Sequence, residues 1–349
     1  MTAFIALLST MVLIGPGSAG KSQAQFSSAD HEIMNDPNTI WGNWIPYEAG
    51  WFILVDGTQK EEKGGRIYRW TDHSPPELLI YSTPREGFQT FAVWAAPPEG
   101  REIVVKGWRS PWSFIFYPND PDQGFQRYKL ARYCDDLTFW GEQSYICGTK
   151  FPEHRLAGLT EKQPTLITSI NRALPRDVGH DVEGKANANL MVFAKGTSSL
   201  ALAYSLHPQV FLFDLSTPPQ RLKNQRRAYP IRFSGYDPPP RKYIGKPINQ
   251  KRHLAWWSRF HRLVDLHWFQ GDLYGKFRKG LEGYIWVLID ERGGEVKWDN
   301  NGAKLHLLAM SETELVWGKY KENDRGDIEW NLWRTSSFGS YSKATTNQE

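Results

Sequence analysis

A chain of 349 residues carrying 16 Trp, 15 Tyr and 18 Phe beside 30 Gly and 22 Pro has material for one large domain with a real core, and disorder is excluded for the bulk of it. That mixture of aromatic residues with turn formers favours strands joined by turns over a helical architecture. The formal net charge of +4 is modest, but it conceals an uneven distribution along the chain.

The amino end reads as a leader. Ala3 to Ile14 is an uncharged apolar run followed by Gly15-Pro16-Gly17 and small residues, the layout of a secretory apolar region with its cleavage zone. Only the α-amino group precedes the run, so a basic segment is missing. The run is shorter than the ~20 apolar residues of a spanning helix, so no transmembrane span is expected. A buried element of the mature chain is the competing reading, but no polar period accompanies the run. The expected division is a signal peptide over 1–25, a polar tether over 26–40 with a turn at Asp36-Pro37-Asn38, a strand-rich domain over 41–335 and a polar tail over 336–349. The expected location is secreted or periplasmic.

Strand patterns then arrive in groups. Gly50 to Asp56, Arg66 to Trp70 and Leu78 to Tyr81 form the first, and Glu102 to Lys106, Trp112 to Tyr117 and Arg127 to Tyr133 the second. Asp136 to Trp140 with Ser144 to Gly148 begin a third, flanking a turn near Trp140-Gly141. Cys134 and Cys147 lie on either side of this hairpin, and a disulfide between neighbouring strands is expected, with packing as free thiols the alternative.

Thr165 to Ile170 and Leu190 to Ser216 supply the fourth group. Within it Leu200, Leu202, Tyr204 and Leu206 alternate with Ser199, Ala201, Ala203 and Ser205, the period of two of a strand with different neighbours on its two faces. Val210 to Leu215 is apolar on both faces, so sheets must cover it on both sides. Leu254 to Trp257, Leu263 to Phe269, Leu273 to Phe277 and Tyr284 to Asp290 make a fifth group. Lys304 to Met310, Glu314 to Tyr320 and Ile328 to Arg334 make a sixth.

Groups of three or four strands recurring at about fifty residues, with no helix between them, have the cadence of a propeller rather than of a sandwich. The expected fold is therefore all-β, a six-bladed β-propeller of antiparallel four-stranded blades. The phrases SLHPQVFLFDLS (Ser205 to Ser216), WWSRFHRLVDLHWFQGDLYGKF (Trp256 to Phe277) and GDIEWNLWR (Gly326 to Arg334) give the chain a resemblance to the six-bladed, TolB-like β-propeller proteins of bacteria over about 41–335. That superfamily hosts hydrolases, binding proteins and structural modules, so the resemblance implies fold more than activity.

Charge is the most informative functional feature. From Leu215 to Val264 stand twelve basic residues, Arg221, Lys223, Arg226, Arg227, Arg232, Arg241, Lys242, Lys246, Lys251, Arg252, Arg259 and Arg262, against one acid, Asp237. The remainder of the chain is net negative. Seven prolines share the segment, barring a helix and favouring an extended surface excursion. A basic surface outside the cytoplasm seeks an acidic polysaccharide, an anionic surface or an acidic protein partner, and nucleic acid is not expected. Arg221, Lys223, Arg226, Arg227, Arg241 and Lys242 are the binding candidates, with Tyr229, Tyr236 and Tyr243 as flat contacts beside them. The competing reading is that these cations lie against the acidic remainder of the same protein.

Two acid-and-histidine groups remain. His261, Asp265 and His267 share one face of a strand, and a helix would still pair His261 with Asp265. Asp177, His180 and Asp181 form a second group, expected at the mouth of the ring's channel. No nucleophile elbow, zinc-protease motif or phosphate loop is present, so no catalytic residue is assigned. The expected function is that of an exported propeller acting as a binding or scaffold protein without a required cofactor. The alternative is a metal-dependent propeller hydrolase or lactonase holding Ca²⁺ or Zn²⁺ in the channel.

Overall fold

In a computed structural model of the protein the described residues are 23–25 and most of 43–338. Residues 1–22, 26–42, 170–190, 215–225, 239–258 and 339–349, with several shorter connections, lie outside them. Among the described residues the only helical element is one short 3₁₀ turn, Pro121–Gln123, and everything else regular is strand. The first strand, β1 (Gln23–Gln25), joins the sheet of the last three strands. The remaining strands follow in hairpin succession.

Sheet 1 contains β2 (Asn43–Tyr47), β3 (Gly50–Val55), β4 (Arg66–Thr71) and β5 (Glu77–Tyr81). Sheet 2 contains β6 (Phe91–Ala95), β7 (Ile103–Gly107), β8 (Ser113–Phe116) and β9 (Gln126–Tyr128). Sheet 3 contains β10 (Asp136–Gly141), β11 (Ser144–Thr149), β12 (Arg155–Leu159) and β13 (Pro164–Ser169). Sheet 4 is β14 (Met191–Lys195), β15 (Ser199–Tyr204), β16 (Gln209–Asp214) and β17 (Arg226–Pro230). Sheet 5 is β18 (His261–Phe269), β19 (Asp272–Lys279), β20 (Tyr284–Asp290) and β21 (Gly293–Asp299). Sheet 6 is β22 (Leu305–Met310), β23 (Leu315–Glu322), β24 (Ile328–Thr335) and, on the outer side of β24, the amino-terminal β1. All six sheets are four-stranded and antiparallel, and the architecture is that of a β-propeller.

The apolar pattern explains why sheet packs on sheet. Leu200, Ala201, Leu202, Ala203 and Tyr204 are all buried, as are Val210, Phe211, Leu212 and Phe213, so β15 and β16 are covered on both faces by neighbouring sheets. Sheets 4 and 5 meet through Val192, Ala203, Val210, Leu266, Phe277 and Val287. Sheets 5 and 6 meet through Phe269, Tyr274, Trp286, Leu307 and Trp317. Trp51, Ile53 and Trp70 of sheet 1 pack on Leu308, Val316 and Leu332 of sheet 6, while Phe52, Leu54 and Ile67 pack on Ile103, Val105 and Phe114 of sheet 2. Each large side chain removed from water in these seams contributes roughly 1.5–3 kcal/mol.

The strand grouping differs from the sequence expectation at several points. Pro164–Ser169 closes sheet 3 rather than opening sheet 4, and Arg226–Pro230, expected within an extended excursion, is instead the outer strand of sheet 4. Gln23–Gln25, within the stretch expected to be a leader, pairs with Asn331–Trp333. Phe338, at the start of the expected polar tail, stacks on Tyr274 with ring centroids 5.6 Å apart. Leu254 to Trp257 lies outside the described residues.

Candidate functional site

A β-bulge decides which of the candidate side chains meet. In β18 the pairing with β19 runs His261↔Lys279, Arg262↔Arg278 and Leu263↔Phe277, then skips Val264 and resumes at Asp265↔Lys276 and His267↔Tyr274. One extra residue reverses the alternation of faces. Leu263 and Leu266 therefore both join the seam with sheet 4, and Arg262, Asp265 and His267 point together toward sheet 6. His261 is left on the other face, where its Nδ1 accepts a hydrogen bond from the Asp237 N–H at 3.1 Å and its ring packs against Phe233 and Tyr236. The expected trio is thus a pair, His267 Nε2 lying 3.1 Å from Asp265 Oδ2.

Around that pair the face of sheet 5 toward sheet 6 is rich in charge and in aromatic rings. Lys276, directly opposite Asp265, extends its Nζ to within 3.4 Å of the Leu308 carbonyl oxygen on β22. The ammonium stands 4.2 Å from the Tyr284 ring centroid and 5.2 Å from that of Trp286. Arg278 lies over the same Tyr284 ring at 5.4 Å, and Arg262 is its direct cross-strand partner. Asp265 keeps 38% side-chain exposure and His267 19%, so water reaches into this crevice between the sheets.

The electrostatics follow from crowding. Burial pushes the Lys276 ammonium down to about 8, with Asp265 opposing the fall and Arg278 adding to it. Burial also lowers the Arg262 guanidinium, with Arg278 adding to the fall and Tyr284 opposing it. Burial would raise the Asp265 carboxyl, but His267 above all, then Lys276 and the Leu266 N–H at 2.8 Å, hold it below its ordinary value. Sequence reasoning found Asp265 and His267. It missed Lys276, Arg278 and Tyr284, whose signal was the alternation of Tyr274, Lys276 and Arg278 along a strand paired with β18.

Of the other candidates, only some fall on described residues. Arg227 is exposed on β17, opposite Leu212, and Arg226 pairs with Phe213. Arg232 is also exposed, in the connection after β17, where its carbonyl accepts from the Gly294 N–H of sheet 5 at 2.7 Å. Arg221, Lys223, Arg241 and Lys242 lie outside the described residues, as do Asp177, His180, Asp181 and Tyr243. Two of the expected flat contacts are not free surface: Tyr229 and Tyr236 pack against the seam of sheets 4 and 5, and burial raises the Tyr236 hydroxyl well above its usual range. Contacts with the rings of Phe233, His261 and Phe277 hold Tyr236 inward.

Of the two cysteines of the expected disulfide, only Cys147 lies on a described strand. Cys147 on β11 stands opposite Leu137, with Asp136 opposite Gly148, while Cys134 lies outside the described residues. The hairpin turns between Gly141 and Ser144, later than Trp140-Gly141. No group of three or more His, Cys, Asp or Glu side chains able to hold a metal occurs among the described residues. No helix among them is long and apolar enough to cross a membrane.

The chain is similar to several solved structures. The Bacteroides fragilis "Putative exported protein" superposes with a TM-score of 0.57 at 10% identity, over 91% of this chain and 95% of that one. YCF48 bound to D1 peptide gives 0.42 at 10% identity, over 92% and 97%. The β-propeller domain of Cps50 (Swd1) from Myceliophteria thermophila gives 0.41 at 8%, over 82% and 93%. No protein-family model matches the sequence, and no curated protein matches it. The chain is a β-propeller protein, and at these identities the likeness carries the fold alone.

Proposed function

We propose that the protein is an exported, six-bladed propeller of the TolB-like kind that acts as a binding scaffold for an anionic ligand or an acidic protein partner. The six four-stranded sheets supply one blade each, and the secretory pattern of Ala3 to Ile14 together with a "Putative exported protein" among the similar structures supports export. For the closing strand Gln23–Gln25 to survive export, the leader ends ahead of Gln23. The observation that carries the binding reading is the placement of Arg227 and Arg232, both exposed, on the outer strand of sheet 4 and its exit. A basic segment that starts on the rim of the ring presents its charge to a partner of molecular size, not to a buried site.

Retention on a dextran sulfate matrix tests this. The protein should bind at 0.1 M salt and elute well before 1 M, as the Debye length falls from ~10 Å to ~3 Å. Replacing Arg226, Arg227, Arg241 and Lys242 with Ser should weaken retention and leave thermal stability nearly unchanged, the outcome for charges that serve a partner and not the fold. Unchanged retention with loss of stability would mean that these cations serve the acidic remainder of the protein and would overturn the reading.

A further inference from the structure

We propose that His261 is an acid-sensitive clasp, which holds the strap of residues 231–237 across the seam between sheets 4 and 5 and releases it when the imidazole takes up a proton. The inference goes beyond the binding reading and does not depend on it. After β17 the chain passes from the outer strand of sheet 4 to β18, the first strand of sheet 5. On the way the Ile231 N–H donates to the Pro208 carbonyl at 2.9 Å, and the Arg232 carbonyl accepts from the Gly294 N–H of β21 at 2.7 Å. A turn follows, closed by the Tyr236 N–H on the Phe233 carbonyl at 3.0 Å. Gly235, at φ +77°, stands where a type II turn needs a left-handed residue. The turn sets Phe233 and Tyr236 against the Phe277 ring of β19, with centroids 5.1 and 6.1 Å away. The strap ends on β18 in a reciprocal pair of bonds. The Asp237 N–H donates to His261 Nδ1 at 3.1 Å, and the His261 N–H donates to the Asp237 carbonyl at 2.9 Å.

The first of these two bonds fixes the protonation of the ring. A backbone N–H only donates, so Nδ1 presents its lone pair and the neutral imidazole carries its proton on Nε2. A second proton has only Nδ1 to occupy, where it would face the Asp237 N–H, donor against donor. His261 is 5% exposed and lies between the rings of Phe233 at 5.6 Å and Tyr236 at 6.0 Å, so burial opposes the cation as well. The strap brings the Asp237 carboxylate and the Tyr236 hydroxyl, which burial holds above its usual range. Lys279 stands directly opposite on β19, Arg259 precedes β18 and Arg262 follows His261, and His207 lies in the turn whose Pro208 anchors the strap. Of these only the Asp237 carboxylate favours an imidazolium, and Asp237 is exposed, where water weakens its attraction. Asp237 and His261 also bound the stretch 238–260, which carries six basic residues and no acid, so the clasp holds its two ends together.

Hydrogen exchange of the full chain tests this, read by mass spectrometry at about pH 7.5 and 5.5 and corrected for the intrinsic pH dependence of exchange. The open strap takes up a proton with the ordinary histidine value of about 6.5 and the closed strap does not, so opening of 231–237 should increase about tenfold between the two conditions. His261→Asn keeps an acceptor for the Asp237 N–H but does not titrate. In that variant the strap should be equally protected at both pH values, and the comparison cancels every other group that titrates in the window. The wild type should also lose stability to urea relative to the variant as pH falls below about 6.5, because the unfolded chain then binds a proton that the clasped ring refuses. Equal protection of the wild-type strap at both pH values, or the same loss of protection in the variant, would overturn the proposal. Should the variant fail to fold, the ¹⁵N shifts of the His261 ring in the wild type decide. Nδ1 unprotonated at the higher pH, and protonated in step with the loss of strap protection, supports the clasp, while a ring that protonates with the strap still protected overturns it.

Discussion

Lys276 makes the chemistry of single residues measurable. Its folded value of about 8 lies below the ordinary 10.5, so between these limits the unfolded chain holds a proton that the folded chain has lost. Stability then rises with pH across that window, and below pH 8 the penalty of the buried ammonium is present in full. Tyr274 bounds the experiment from above: burial, aided by Asp272 and Glu295, pushes its hydroxyl to about 12, so it contributes stability that is lost as pH rises from 10 toward 12. Between pH 8 and 10, wild type should therefore gain stability relative to Lys276→Met when both are unfolded in urea. At roughly 1.4 kcal/mol for each tenfold change in proton affinity, discounted for water in the crevice, the relative gain should stay below about 3 kcal/mol. Parallel curves would show that Lys276 is not strained by burial. Asn300 offers a neutral counterpart. Its side chain is buried, accepts from the Leu307 N–H and donates to the Leu307 carbonyl, both at 3.0 Å, so it ties the exit of β21 to β22 as a strand neighbour would. Asn300→Ala leaves both backbone groups without that partner and should cost ~1–3 kcal/mol in urea denaturation. An unchanged midpoint would mean that these bonds are replaced without loss.

At the scale of elements, the strands legible in the sequence are the ones whose apolar residues are buried on both faces. β3, β15, β16, β20 and β22 were all readable because every second residue, or nearly every residue, is removed from water. Outer strands give no such signal: β17 reads RRAYP and β21 reads GGEVKWD, with exposed charges that look like a loop until the pairing is known. The same limit applies to the site. Asp265 and His267 were visible as neighbours, but the bulge at Val264, which excludes His261 and admits Arg262, has no sequence signature of its own. Glycine marks one element boundary clearly. Gly50 opens β3 at φ +155°, and a Cβ there would stand 2.1 Å from the Trp70 carbonyl oxygen on the neighbouring β4. The obstacle is backbone, which cannot swing aside as a side chain can. Gly50→Ala should therefore lower the melting temperature markedly, while Gly124→Ala, at φ +64° with open space around it, should show only the smaller cost of the left-handed conformation. Equal effects would mean that backbone angle, not the approach of β4, sets the requirement for glycine.

For the whole molecule the question is how the ring is held shut. The first strand and the last three share sheet 6, with Gln23↔Trp333, Ala24↔Leu332 and Gln25↔Asn331 in register, so the two ends of the chain are bonded to each other across the sequence. Leu332 is buried in the seam with sheet 1, which makes β24 a strand whose displacement would be felt by two sheets. Without β1, the outer side of β24 becomes an unpaired edge, able to pair with another chain. A chain beginning at Gly20 retains β1, and one beginning at Phe26 lacks it. The shorter chain should be less stable by the backbone hydrogen bonds it loses, ~0.5–1.5 kcal/mol for each. It should also associate with rising concentration, seen as a growing sedimentation coefficient, because its exposed edge recruits a second copy. If both chains melt together and both stay monomeric, Gln23–Gln25 does not close the ring, and the leader could end at residue 25 without cost to the fold.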